Sequence, residues 1–100
     1  MKTIIETDEF TKQADKIWSE DERFDFFTYL LKNPIIGDVI PHTGGVRKVR
    51  WSTKGAGKRG GVRVIYLNQD VDGTITLLYI YKKNEKGNMT TKQIKKTIRS

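Results

Sequence analysis

Val46-Arg47-Lys48-Val49-Arg50-Trp51, Val62-Arg63-Val64-Ile65-Tyr66 and Thr74-Ile75-Thr76-Leu77-Leu78-Tyr79-Ile80-Tyr81 are three strand-like runs, and they decide the fold. From Val46 to Thr53 the pattern has a period of two, with Val49 and Trp51 set against Lys48 and Arg50. Such alternation predicts a strand with one wet face. Val62 to Asn68 predicts a second strand, and Thr74 to Tyr81 a third, largely buried one. Asp70-Val71-Asp72-Gly73 between them reads as a hairpin turn, with Gly73 free to take positive φ. The first two strands are joined by Lys54 to Gly61, which carries four of the nine glycines and three cations.

Upstream, Ile4-Ile5 within Lys2–Glu6 predicts a short first strand. Thr7 or Asp8 can cap a helix whose apolar stripe is Phe10, Ala14, Ile17 and Trp18, and Asp8 and Glu9 suit its positive end. Ser19-Glu20-Asp21-Glu22 has capping-box spacing, so a second helix starts there. Phe24, Phe27, Leu30 and Leu31 are expected to form its buried face, and Asn33-Pro34 ends it. Pro34 to Gly45 has no periodicity and reads as a loop. Thr90 or Thr91 can cap a short last helix to Arg99, with Ile94 and Ile98 as its apolar positions. Strand, αα-hairpin, three antiparallel strands and a terminal helix make an α+β fold, with helices packed on a mostly antiparallel sheet. At 100 residues the chain is expected to be a single domain spanning 1–100.

Charge is distributed unevenly. Residues 1–33 hold five Lys/Arg and eight Asp/Glu, a net −3, whereas residues 34–100 hold fourteen and four, a net +10. From Gly44 to Tyr66 there are seven cations and no acid. Crowded like charge is a usual footprint of a polyanion partner, although basic charge alone does not separate nucleic acid from an acidic protein. No cysteine is present, so neither disulfides nor thiolate metal sites can brace the fold. No apolar run reaches membrane-spanning length and no signal peptide is visible, so a cytoplasmic protein with no membrane partner is expected.

Lys48 and Arg50 share a strand face, and Arg63 on the next strand can converge with them on a phosphate-binding surface. The Lys54–Gly61 loop lacks the order of a Walker loop, and its lysines and Arg59 read better as a basic loop tracking a nucleic-acid backbone. Trp51 and Tyr79 read as core, while Tyr66 and Tyr81 stay open as base-stacking positions. Lys82-Lys83 leave the last strand beside the basic face. His42 is the only histidine, which excludes a two-histidine acid–base pair. Asp38, Asp70, Asp72 and Glu85 are scattered, which argues against a metal-carboxylate nuclease. No metal or cofactor is expected.

Gly44-Gly45-Val46-Arg47-Lys48-Val49-Arg50-Trp51, Gly57-Lys58-Arg59-Gly60-Gly61-Val62-Arg63-Val64-Ile65-Tyr66 and Tyr79-Ile80-Tyr81-Lys82-Lys83-Asn84-Glu85 together resemble the RelE/HigB/ParE toxin superfamily. The likeness is greatest to the HigB-like branch, which Gly37-Asp38-Val39-Ile40 also fits. It implies a bacterial type II toxin, a ribosome-dependent endoribonuclease that enters the ribosomal A site and cuts mRNA there, neutralised by a cognate antitoxin. By resemblance, the catalytic positions fall on Lys48, Arg50, Arg63 and Lys83. Arg47, Lys54, Lys58, Arg59, Tyr66, Tyr81 and Lys82 are expected to contact RNA. Asn84 stands where RelE carries an arginine, and Gly87-Asn88-Met89 offers no match for the RelE C-terminal tyrosine. The final acid–base group is therefore left open. Lys48 or Lys83 could act as base, with Arg50 and Arg63 on the scissile phosphate. Two other readings share the basic surface: a ParE-like DNA gyrase inhibitor without nuclease activity, and a plain nucleic-acid-binding module.

Overall fold

In the computed structural model, which describes residues 2–52, 61–69 and 71–82, a five-stranded sheet carries two helices on one face. The elements run β1 (Thr3–Glu6), α1 (Asp8–Ile17), α2 (Glu20–Lys32), β2 (Asp38–Val39), β3 (Val46–Trp51), β4 (Val62–Gln69) and β5 (Thr74–Lys82). Strand order is β1-β5-β4-β3-β2. The pairs among β2 to β5 are antiparallel, and β1 lies parallel to β5. The α+β architecture read from the sequence is the one observed. The expected terminal helix, the 53–60 loop and Lys83 lie outside the described residues.

Local chemistry sets the helix limits. The Thr7 hydroxyl accepts from Phe10 N at 3.2 Å and donates to the β5 carbonyl of Leu77 at 2.8 Å, so it caps α1 and ties it to the sheet. Ser19 and Glu22 form a reciprocal capping box at the start of α2. At the turn into β5, Asp72 accepts from the backbone N–H and the hydroxyl of Thr74, and Gly73 takes φ +69°.

The main core lies between the helices and the sheet. Phe10, Ala14, Trp18, Phe26 and Leu30 meet Val49, Val62, Val64, Tyr66, Ile75, Leu77 and Ile80. The buried face of α2 matches the expected one at Leu30 and Phe27 and differs at Phe24 and Leu31. Phe26 and Leu30 are fully buried, whereas Phe24 is 70% exposed and Leu31 also faces outward. Arg23 lies on the same inward side: its guanidinium bridges Asp15 on α1 at 3.1 Å and Glu6 on β1 at 3.5 Å. With Arg23 turned inward, Phe26 follows three residues later on the same side. Phe24 is carried about 100° round the helix toward solvent. Phe26 then packs on Trp18 and Trp51, at ring-centroid distances of 5.2 and 5.3 Å. Trp51 is half-buried against this core, consistent with its expected role.

Candidate nucleic-acid interface

Strand alternation splits the cations of β3 between two faces. Val49 and Trp51 pack under the helices, so Arg47 shares their face, and Val46, Lys48 and Arg50 take the other. Register then carries the pattern across the sheet. Arg50 lies directly opposite Arg63, and Arg63 opposite Tyr81. One step along, Asp38, Lys48, Ile65 and Tyr79 form a second row across β2 to β5. Lys48, Arg50 and Arg63 are therefore gathered on the face opposite α1 and α2, Arg50 exposed and the other two half-buried. Directly opposed side chains in an antiparallel pair sit with Cβ atoms about 4.5–5.5 Å apart, so two guanidinium groups concentrate charge at one spot.

A smaller apolar cluster of Val46, Ile65, Leu78 and Tyr81 underlies this face, with Ile40, Leu67 and Tyr79 against it. Pairing passes from Ile65–Tyr79 to Tyr66–Leu77, so Leu78 is an extra residue in β5. This bulge puts Leu78 and Tyr79 toward the same face and breaks the simple alternation of the strand.

The expected RNA contacts divide accordingly. Arg47 is turned to the helix side, where its Nη1 donates to the carbonyls of Gly37 at 2.6 Å and Ile35 at 3.3 Å. Tyr66 is fully buried there; its hydroxyl donates to Pro34 O and accepts from Gly37 N, both at 3.0 Å. Burial pushes the Tyr66 phenol above its ordinary pKa, opposed by the Gly37 hydrogen bond and the Arg47 charge. Both residues hold the 34–37 loop; Tyr66 is fully buried, so its ring is not open to RNA, which corrects its expected role, and Arg47 is half-buried on the face away from Arg50 and Arg63. Tyr81 lies on the basic face but is buried, so its ring is not available to stack on a base. Lys82 is exposed, yet it pairs with Val62 and alternation sends it to the helix side, away from Arg63. Lys54, Lys58, Arg59 and Lys83 fall outside the described residues.

Two further residues on this face carry no signal in the sequence that would single them out. Tyr79, read as core, is half-buried on the basic face and stands closer to solvent than Tyr81. The bulge at Leu78 brings Tyr79 to this face, and nothing local in the run announces it. Asp38, read as one of several scattered acids, lies directly opposite Lys48. His42 sits exposed in the turn before β3 with φ +65°. Among the described residues no three His, Cys, Asp or Glu side chains could jointly hold a metal ion, and no helix is long and apolar enough to cross a membrane.

No protein-family model matches the chain. Solved structures do share its architecture. A doubly substituted variant of the E. coli toxin RelE in the free state superimposes with a TM-score of 0.63 at 14% identity, covering 84% of this chain and 85% of that one. The intact E. coli RelBE toxin–antitoxin complex gives 0.63 and 14%, with 82% and 96% covered. The isolated E. coli RelE toxin gives the same score and identity over 82% and 84%. The chain therefore has the RelE fold. The placement on the HigB-like branch rests on the sequence motifs alone.

Proposed function

We propose that this protein is a type II toxin that cleaves mRNA in the ribosomal A site, without metal, through attack of a ribose 2′-hydroxyl on the adjacent phosphate. The observation that carries the reading is the direct opposition of Arg50 and Arg63, with Lys48 two residues along, on the face that α1 and α2 leave open. Two guanidinium groups side by side match the oxygens of one phosphate and the extra charge of a phosphorane. The fold shared with RelE supports the toxin assignment, and the RelBE complex supports a cognate antitoxin as partner.

Three contributions make up the chemistry. The ribosome and the basic face together hold the 2′-oxygen in line with the leaving 5′-oxygen, and such positioning is worth roughly 7–11 kcal/mol. Arg50 and Arg63 stabilise the charge that builds on phosphorus. Proton transfer adds about 10²–10⁴ in rate. Lys54, Lys58, Arg59 and Lys83 are four further cations close to these positions in the sequence.

The test is cleavage of mRNA on programmed ribosomes, read by primer extension. Arg63→Ala and Arg50→Ala should each lower cutting strongly while the protein still melts cooperatively. Undiminished cutting by both variants removes the assignment. A cell-free translation assay with supplied mRNA separates the ParE-like alternative, because a gyrase poison leaves that translation running.

A further inference from the structure

We propose that Asp38 is the general base of the site, taking the proton of the 2′-hydroxyl while Lys48 beside it serves as the cation at the leaving oxygen. This inference rests on the ribonuclease reading above and concerns the same face. Asp38 is directly opposite Lys48 in the β2–β3 pair, one row from the Arg50–Arg63 pair. Its side chain is exposed and Ile40, two residues on, packs with the apolar cluster under the same face. Pairing with Lys48 and alternation from Ile40 thus place Asp38 on one and the same side of the sheet.

The two-residue strand that carries Asp38 is anchored from both ends. On the N-terminal side, Gly37 N donates to Tyr66 Oη and Gly37 O accepts from Arg47 Nη1. Gly37 is so closely packed that a Cβ there would lie 2.8 Å from Lys48 O and 3.1 Å from Tyr66 Cε1. On the C-terminal side, Ile40 N donates to Val46 O at 2.8 Å. The Thr43 hydroxyl donates to Ile40 O at 2.6 Å and accepts from Val46 N at 3.1 Å. Arg47 and Tyr66 thus act on the site from behind, by fixing the strand that presents Asp38. Aspartate is disfavoured in strands, and an edge strand could remain soluble with any charged residue. The anchoring fixes the backbone on either side of position 38.

A carboxylate is in its basic form at neutral pH without help from its surroundings, whereas a lysine amine needs its pKa lowered by several units to accept a proton. The step balances with groups on this face. The 2′-oxygen bonds to phosphorus as its proton passes to an Asp38 carboxylate oxygen. The bond from phosphorus to the 5′-oxygen breaks, and that oxygen takes a proton from the Lys48 ammonium. The products are a 2′,3′-cyclic phosphate and a 5′-hydroxyl. Asp38 and Lys48 return to their starting states by exchanging the proton between them or with water.

The experiment compares wild type, Asp38→Asn and Asp38→Glu in single-turnover cleavage of mRNA on programmed ribosomes. Affinity for ribosomes carrying a 2′-O-methylated, uncleavable mRNA is measured alongside. Asp38→Asn should lose about 10²- to 10⁴-fold in cleavage rate with affinity unchanged or tighter, since a negative charge near RNA has gone. Asp38→Glu should recover part of the rate. Asn cutting within about threefold of wild type overturns the proposal, because a general base is worth far more than that. So does a rate loss that only tracks weaker binding or a lowered melting midpoint. If wild type itself leaves programmed ribosomes uncut, the ribonuclease reading fails first, and the wild-type arm shows this separately from any effect of Asp38.

Discussion

Replacing Tyr66 by Phe removes one oxygen from a fully buried ring and tests how the sheet is tied to the loop that feeds β2. That oxygen donates to Pro34 O and accepts from Gly37 N, each at 3.0 Å. Two hydrogen bonds at a net 0.5–1.5 kcal/mol each put the loss at about 1–3 kcal/mol, toward the upper end because the Gly37 N–H is left without its acceptor. In a domain of this size that corresponds to a melting midpoint roughly 5–15 °C lower. The pH dependence supplies an independent check. The folded-state pKa of Tyr66 is raised above 10.0, chiefly by desolvation, so the folded protein holds this proton more tightly than the unfolded chain. Its contribution is fully present below pH 10.0 and is lost as pH rises through the folded-state value. Melts of wild type and Tyr66→Phe, followed by circular dichroism from neutral pH upward, should differ by a constant amount to about pH 10 and converge beyond it. Midpoints that agree to within about 1 °C at neutral pH, or a gap that stays constant well above pH 10, would refute the reasoning.

Other perturbations read different parts of the molecule. Phe26→Ala should cost about 3–5 kcal/mol in denaturant unfolding, because the ring is fully buried between Trp18 and Trp51. Phe24→Ala, two residues away and 70% exposed, should change stability by no more than about 0.5 kcal/mol, and equal costs would show that the assigned helix face is wrong. Gly61→Ala should destabilise sharply in thermal melts, since Gly61 holds φ +54° and a Cβ there would collide with the carbonyl oxygen of Trp51. RNA affinity should fall with rising salt, and Arg50→Ala or Arg63→Ala should make that slope shallower by roughly 0.7 for each phosphate no longer neutralised. Lys82→Ala should leave the slope nearly unchanged, and an equal effect of all three would place the RNA elsewhere.

The helical half was legible because its signals are local. Thr7, the Ser19–Glu22 box and Asn33-Pro34 act within a turn of where they stand, and α1 and α2 begin and end there. The inward side of α2 was legible only in part, because Phe24, Phe27, Leu30 and Leu31 have helical spacing among themselves, and so do Phe26, Phe27 and Leu30. Packing of Phe26 between Trp18 and Trp51 selects the second set, and Arg23 is tied to α1 and β1 on the same side. The basic cluster was legible where alternation was regular. Lys48 and Arg50 share a face by parity, and Arg63 joins them because β3 and β4 pair without interruption from Val46–Leu67 to Trp51–Val62. Arg47 obeys the same rule from the other side: odd parity takes it to the helix face, where it binds loop carbonyls. The face of the β5 tyrosines was not legible, because the extra residue at Leu78 shifts the phase of the strand and carries Tyr79 and Tyr81 together to the side away from Ile75 and Leu77.

Periodicity, caps and charge in the chain itself were enough to specify an acidic helical hairpin on a sheet with a cationic first hairpin, since these forces act over one turn or one pleat. Which cations meet, and which acid stands beside them, was decided only by register between strands. Asp38 and Lys48 are ten positions apart, Arg50 and Arg63 thirteen, and backbone pairing brings each of them face to face. Pairing depends on long-range packing, and a one-residue slip would send the same side chains to opposite faces.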